Sequence, residues 1–111
     1  MIEKIIRDYL LPLVDVPVYV DLPDEPPKSY IVIERTGGSM ENHIRSAMVA
    51  VQSIAESQFK TATLHEAVLE HMQNIIVLDD IGAIRINSEY NFPNIETKEF
   101  RYQAVFDIVY Y

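Results

Sequence analysis

The segment Ile44–Glu56 constrains the fold of this chain most, because hydrophobic residues occupy both of its alternating faces. Those residues are Ala47, Val49 and Val51 on one face, and Met48, Ala50 and Ile54 on the other. Successive side chains of a strand point to opposite sides of the sheet, so the pattern is typical of a strand buried on both sides. Two helices do not readily cover both faces of a sheet in a chain of 111 residues, and the pattern therefore also indicates association between subunits.

Two amphipathic helices are predicted from hydrophobic residues at helical spacing. The first begins at Ile2 and ends near Leu11, because Pro12 cannot donate a hydrogen bond to the helical ladder. The second begins after Ser57, a residue type that caps helix N-termini, and ends near Ile76. Its predicted buried stripe consists of Phe59, Leu64, Ala67, Val68, Met72 and Ile75.

Five segments are predicted as strands from alternating or β-branched residues: Val16–Leu22, Tyr30–Thr36, Ile44–Glu56, Ile84–Glu89 and Phe100–Tyr110. No repeat or linker divides the chain. The order α-β-β-β-α-β-β predicts one α+β domain over residues 1–111. We expect a mainly antiparallel sheet of four to five strands, with both helices packed on one face.

The segment Thr36–His43 is predicted to be a loop longer than a tight hairpin turn. It contains Gly37 and Gly38, and glycine permits the positive φ that such loops use. If either glycine has a positive φ, a β-branched replacement there costs about 1 to 3 kcal/mol. A phosphate-binding loop is not indicated, because the G-x-x-x-x-G-K-[ST] pattern and its strand-to-helix context are missing.

The chain is acidic, with 17 Asp and Glu against 9 Lys and Arg and a net charge of −8. This balance opposes tight nucleic-acid binding, which needs clustered basic residues. Five of the excess negative charges lie in two predicted loops, and these acidic segments comprise Asp21, Asp24 and Glu25 in the first and Asp79 and Asp80 in the second. Two interpretations are open: solvated loops that aid solubility, or a surface that repels an anion.

No catalytic or metal-binding pattern is found, and we expect neither an enzyme nor a cofactor. The chain has no cysteine and no nucleophile-elbow sequence. His65 and His71 lie on the second helix, but their spacing matches no zinc motif and separates them by about 120° around the helix axis. We therefore expect a polar helix face there. His43 lies in the glycine loop and has no partner that is evident from the sequence.

No membrane segment or signal peptide is predicted. The longest apolar run, Ala47–Val51, is far shorter than the roughly 20 residues that cross a bilayer. Glu3 and Asp8 occupy the N-terminus, where a signal peptide would be basic and then apolar. The lack of cysteine fits a reducing cytoplasm.

Four segments together resemble the small head-tail joining and tail-completion proteins of long-tailed phages and Gram-positive prophages. They are Tyr30–Ser39, Ala50–Ser57, Asn87–Phe92 and Arg101–Tyr110. The resemblance covers nearly the whole chain in order and size, and it concerns fold and assembly motifs rather than a catalytic signature.

The resemblance implies a structural protein related to the tail terminators. Such proteins form a ring, often of six subunits, that caps the tail tube and docks it to the head connector while DNA passes through. The protein would then act in the bacterial host cytoplasm during assembly and afterwards at the virion head-tail junction. Acidic side chains facing the channel would repel DNA phosphates. The subunit contacts implied are Arg35, Gly37, Gly38, Glu41, Asn42, His43, Val49 and Val51.

Two other functions stay open at this point. One is a minor capsid or head-completion component of the same assembly. The other is a small ligand-binding or hydrolytic α+β domain that uses the Gly37-Gly38 loop together with His43.

Overall fold

The segment with two hydrophobic faces is the central strand of the sheet. In the computed structural model, which describes residues 1–111, the elements in chain order are α1 (Ile2–Leu10), β1 (Val18–Tyr19), β2 (Tyr30–Glu41), β3 (Ile44–Ala55), α2 (Gln58–Gln73), β4 (Ile81–Asn91) and β5 (Phe100–Tyr110). Short 3-10 turns follow the helices at Leu11–Leu13 and Asn74–Val77. The strand order is β1-β2-β3-β5-β4. The predicted α+β class and element order are confirmed.

Both helices pack on the same face of the sheet and close one hydrophobic core. The helices contribute Ile2, Ile6 and Leu10 from α1, and Val68 and Met72 from α2. Opposite them, Val49, Val51 and Phe106 are fully buried in the two central strands. Complete burial of such a side chain contributes about 1.5 to 3 kcal/mol, so this layer holds the domain together. Neither helix is long and apolar enough to cross a lipid bilayer.

The predicted first strand is much shorter than expected. Only Val18 and Tyr19 pair with β2, opposite Ile31 and Val32, and they run parallel to it. Because β1 and β2 are parallel, the chain must leave the sheet after Tyr19 in order to return to the start of β2. The prediction of a strand over Val16–Leu22 is therefore wrong at both ends.

The glycine segment is part of a hairpin, and the prediction of a long loop there is wrong. After a bulge at Thr36, β2 and β3 stay paired as far as Glu41 opposite Ile44. The chain then reverses in two residues, Asn42 and His43, with φ of 52° and 67°. A positive φ at both central residues is typical of a type I′ hairpin turn. No glycine has a positive φ, so the condition for a costly β-branched replacement at Gly37 or Gly38 is not met.

Phe59 is 80% exposed, although it was predicted to belong to the buried stripe of α2. The residues of α2 that are buried are Thr61, His65, Val68 and Met72. Phe59 stands two residues before Thr61, which is about 200° around a helix of 100° per residue. Its side chain therefore points away from the core. The predicted cap is confirmed, because the Ser57 hydroxyl accepts a hydrogen bond from the Lys60 amide at 3.1 Å.

The two turn residues make a prediction about stability. Asn tolerates the left-handed region better than His does, and glycine enters it without steric cost. We expect His43→Gly to stabilise the fold by about 0.5 to 1 kcal/mol, which raises Tm by a few degrees for a domain of this size. Asn42→Gly is the matched control and should gain less. Thermal unfolding followed by circular dichroism measures both, and a lower Tm for His43→Gly would contradict the turn geometry.

Candidate functional site

The sheet face opposite the helices, the open face, is covered by no helix. At one end of it Tyr30 contacts Glu99 of the β4–β5 connection. The open face carries Tyr30, Val32, Glu34, Met48, Ala50, Gln52, Ile54, Arg85, Tyr90, Gln103, Val105 and Asp107. A chain of hydrogen bonds crosses three strands there. The Gln52 amide donates to Gln103 at 2.8 Å, and the Gln103 amide donates to the Tyr90 hydroxyl at 2.5 Å. Ala50 and Ile54 are buried although no helix lies above them.

A concave region lies on the open face near the β2–β3 turn. This saddle has a volume of about 690 Å³ and spans the four strands β2, β3, β5 and β4. Its floor is formed by Val109 and small residues around it, and its rim by larger or polar side chains. The floor residues are Gly37, Gly38, Ser39, Ser46, Ala83 and Val109, and the rim residues are Met48, Arg85, Asn87 and Asp107. Bulges at Thr36, Gly82 and Asn87 interrupt the ladder beside it. Bulges bend strands and increase their twist, which makes such a surface concave.

A charged pair marks the rim of the saddle. The Arg85 guanidinium donates to Oδ2 of Asp107 at 2.9 Å, and the Asn87 amide donates to the same oxygen at 3.3 Å. The hydrogen bond from Arg85, aided by that from Asn87, holds the pKa of Asp107 below its ordinary value, although partial burial opposes the shift. The Arg85 side chain is 79% exposed, so its other N–H groups are free for a further acceptor.

The residues predicted as contacts divide between the saddle, the turn and the core. Gly37 and Gly38 both line the saddle, and a Cβ on Gly38 would meet the Arg35 guanidinium. Arg35 Nε donates to the carbonyl of Gly37 at 3.2 Å. Glu41, Asn42 and His43 are exposed at the end of the hairpin. His43 does not line the saddle, so the structure does not join it to Gly37 and Gly38 as one site.

Val49 and Val51 are not available for subunit contact. Both are fully buried among the core residues beneath the helices. Their predicted interface role is wrong for a physical reason: the apolar side of β3 that they form is the side that the domain's own helices cover. Met48, on the opposite side of the same strand, is 39% exposed.

The acidic segments lie at opposite edges of the sheet. Asp21, Asp24 and Glu25 are exposed in the chain that follows β1, and Asp79 and Asp80 are exposed in the turn that precedes β4. Since β1 and β4 are the two outer strands, the five carboxylates do not form a single patch within one chain. The C-terminal Tyr111 amide donates to the carbonyl of Asp80 at 2.9 Å and holds the second segment against the end of β5.

His65 is a buried histidine that sequence reasoning placed on a polar helix face. It is 2% exposed and stacks on Tyr102 with ring centroids 4.9 Å apart. Nε2 lies 2.9 Å from a carboxylate oxygen of Glu89, and because a carboxylate only accepts hydrogen bonds, Nε2 is the donor. Nδ1 is buried without a partner. The burial of His65 could have been predicted from its spacing from Thr61 and Val68, which puts all three residues on one side of α2.

No group of three His, Asp or Glu side chains is arranged to hold a metal ion. His71 lies on another side of α2 from His65, and its carbonyl accepts a hydrogen bond from the Tyr9 hydroxyl at 2.8 Å. The histidines therefore lie apart from one another, each in a different setting.

Both free edges of the sheet are irregular. β1 covers only two residues of β2, and the outer edge of β4 pairs with no strand. The bulges at Gly82 and Asn87 interrupt β4, and the bulge at Thr36 interrupts β2. Bulged edges resist extension by a further strand.

No protein-family model matches this chain, and a comparison with curated proteins found no relative.

Tyr30 ties the start of β2 to the β4–β5 connection and gives a pH-dependent prediction. Its hydroxyl donates to Glu99 at 3.0 Å, and burial together with this carboxylate raises the pKa of Tyr30 to about 12. The folded state therefore holds this proton more tightly than the unfolded chain does. The resulting contribution to stability is present below pH 10 and is lost as the pH rises toward 12.

The alkaline titrations of the wild type and of Tyr30→Phe can both be followed by tyrosinate absorbance. The difference between the two curves is the titration of Tyr30, and we expect its midpoint near 12. At neutral pH the same variant should lose about 0.5 to 1.5 kcal/mol, the usual value of one hydrogen bond. A midpoint near the ordinary value of 10.0 would show that Tyr30 is exposed to solvent.

Proposed function

We propose that this protein is a ring-forming tail terminator or tail-completion protein that acts at the head-tail junction of a long-tailed phage. The observation that carries the proposal is the open face, where a saddle four strands wide lies beside a hairpin end with exposed apolar side chains. Large apolar side chains exposed together at one end of a small domain are typical of protein contact. The sequence resemblance supplies the phage context.

The shape of the molecule suits a protein with two neighbours along one axis. Its principal extents are 44, 25 and 24 Å. Met40, 67% exposed, lies near the hairpin end, and Ile95, 86% exposed, lies in the β4–β5 connection at the other end of the sheet. Phe59, at the start of α2, is close to that second end, because Thr61 contacts the carbonyl of Phe100 at the start of β5. A tail terminator needs one surface for the tail tube and another for the head connector.

The acidic balance fits a channel that DNA crosses without binding. Six chains of −8 carry a net charge of −48. Fixed negative charge on a channel wall repels the phosphate backbone and lowers the local concentration of DNA. In a ring, the acidic segments at the two sheet edges of each chain bring further carboxylates toward the junctions between neighbours.

The proposal predicts assembly that depends on concentration. Sedimentation analysis should show single chains of 12.8 kDa at low concentration and a species of about six chains at high concentration or in the presence of purified tail-tube protein. Deletion of the gene in its phage or prophage should give abnormally long tails. A strict monomer that binds neither tail tube nor head connector would contradict the proposal.

Deletion of the gene also distinguishes the terminator function from the alternative role in the same assembly, that of a head-completion component. Complete tails of normal length beside full, unjoined heads would identify a head-completion component and reject the terminator function. The third possibility, a small-molecule site that uses His43, predicts that His43→Ala abolishes an activity without changing assembly. Under the terminator proposal, a His43→Ala protein that assembles gives tails of wild-type length.

A further inference from the structure

We infer that the hairpin tip of one subunit, Met40–Arg45, seats in the saddle of a neighbouring copy of the same chain. This contact rests on the proposed ring-forming function and specifies the surfaces that would build the ring. It is heterologous, because the tip and the saddle are different surfaces. Repetition of a heterologous contact closes into a ring when its rotation is a whole fraction of a turn.

The tip is a tightly turned hairpin end with one exposed apolar side chain on each side. Met40 and Ile44 are 67% and 47% exposed, and they lie on opposite sides of the hairpin. The two-residue turn between the strands holds Asn42 and His43 at positive φ, a conformation that side chains other than glycine adopt at a cost. Such strain collects at sites where a fixed shape is needed. A preordered tip loses little conformational freedom when it binds.

The saddle is shaped to receive a hairpin end. Its floor lacks large side chains, and a Cβ placed on Gly37 would meet no atom within 4 Å. Met48 supplies an exposed apolar wall. The volume of about 690 Å³ is enclosed on one side by the twisted sheet. A tip that entered it would bury Met40 or Ile44 against Met48 and the backbone of the floor.

The charges of the two surfaces are complementary. The tip carries Glu41 and Arg45, and the rim of the saddle carries Arg85 and Asp107. Arg85 uses a single N–H in its bond to Asp107, so further donors are free for the carboxylate of Glu41. Glu41 is paired with Ile44 and lies on the same side of the hairpin, so it meets Arg85 when Ile44 faces the saddle. Arg45 lies on the other side of the hairpin, with Met40.

The tip cannot fill the saddle of its own chain. Ser39 and Ser46 of the saddle floor are paired directly across the hairpin, and only two further residue pairs separate them from the turn. A paired hairpin this short cannot fold back onto its own stem. The occupant is therefore the tip of a second copy.

A charge exchange tests the contact. Glu41→Arg and Arg85→Glu should each raise the concentration at the midpoint of assembly about tenfold, and the double variant should restore it, since the pair is only reversed. Glu66→Arg, an exposed charge reversal on α2, is the matched control and should leave assembly unchanged. Circular dichroism and Tm confirm that each variant is folded.

A steric test avoids the Arg85–Asp107 pair altogether. Gly37→Val adds side-chain atoms to the saddle floor where nothing obstructs them within the chain, so the fold should be kept. We expect this variant to stay monomeric at concentrations where the wild type assembles. Gly38→Val is its control, because Gly38 also lines the saddle but its added Cβ would project to the other side of the sheet, against the flexible end of Arg35.

The outcomes separate this inference from the proposed function. Loss of assembly in Gly37→Val, together with rescue in the double charge variant, supports the tip-in-saddle contact. A wild type that forms rings while Gly37→Val and both single charge variants form them equally well would overturn the contact and leave the ring function standing. A wild type that is monomeric at every concentration, and that tail-tube protein does not assemble, overturns both.

Discussion

The position of β3 between β2 and β5 is the constraint on which the rest of the structure depends. Its hydrogen bonds are used on both sides, and Val49 and Val51 are fully buried beneath the helices. Because both faces of β3 are apolar, its own pattern does not fix its register, since a shift of one residue would still bury hydrophobic side chains. The neighbours fix it: β5 places Arg101, Gln103 and Asp107 on the face away from the helices, and the Asn42-His43 turn sets the pairing with β2.

This arrangement explains how far sequence reasoning reached. Alternation in Phe100–Tyr110 and helical spacing from Ile2 are local signals, and both elements form as predicted. The hairpin turn was missed because Gly37 and Gly38 are a stronger local turn signal than Asn42-His43. Only the pairing of β2 with β3, which is not a local property, decides that the glycines stay in a strand. His65 was missed for a similar reason: its partner Glu89 is 24 residues away, on β4.

The open face connects the fold to the proposed function. The sequence indicated that β3 would need cover on both sides, and the domain supplies much of the second cover itself, through Gln52, Gln103 and Tyr90. Near the hairpin this cover ends, and small residues leave the saddle open. The candidate site could not be predicted from sequence, because its residues come from four strands and their meeting depends on the register and bulges of the sheet. The sequence pattern indicated only that some surface of β3 would be available to another subunit.

Methionine oxidation by dilute peroxide, read by mass spectrometry, tests the central claim that the hairpin and saddle are the surface between subunits. The chain contains four methionines: Met40 on the tip, Met48 in the saddle, Met1 before α1, and Met72 in the core. The first three are exposed and Met72 is buried, so a single chain should oxidise at all but Met72. In the assembled protein we expect Met48 to become protected while Met1 stays reactive. Equal oxidation of Met48 in the assembled and monomeric protein would contradict the account.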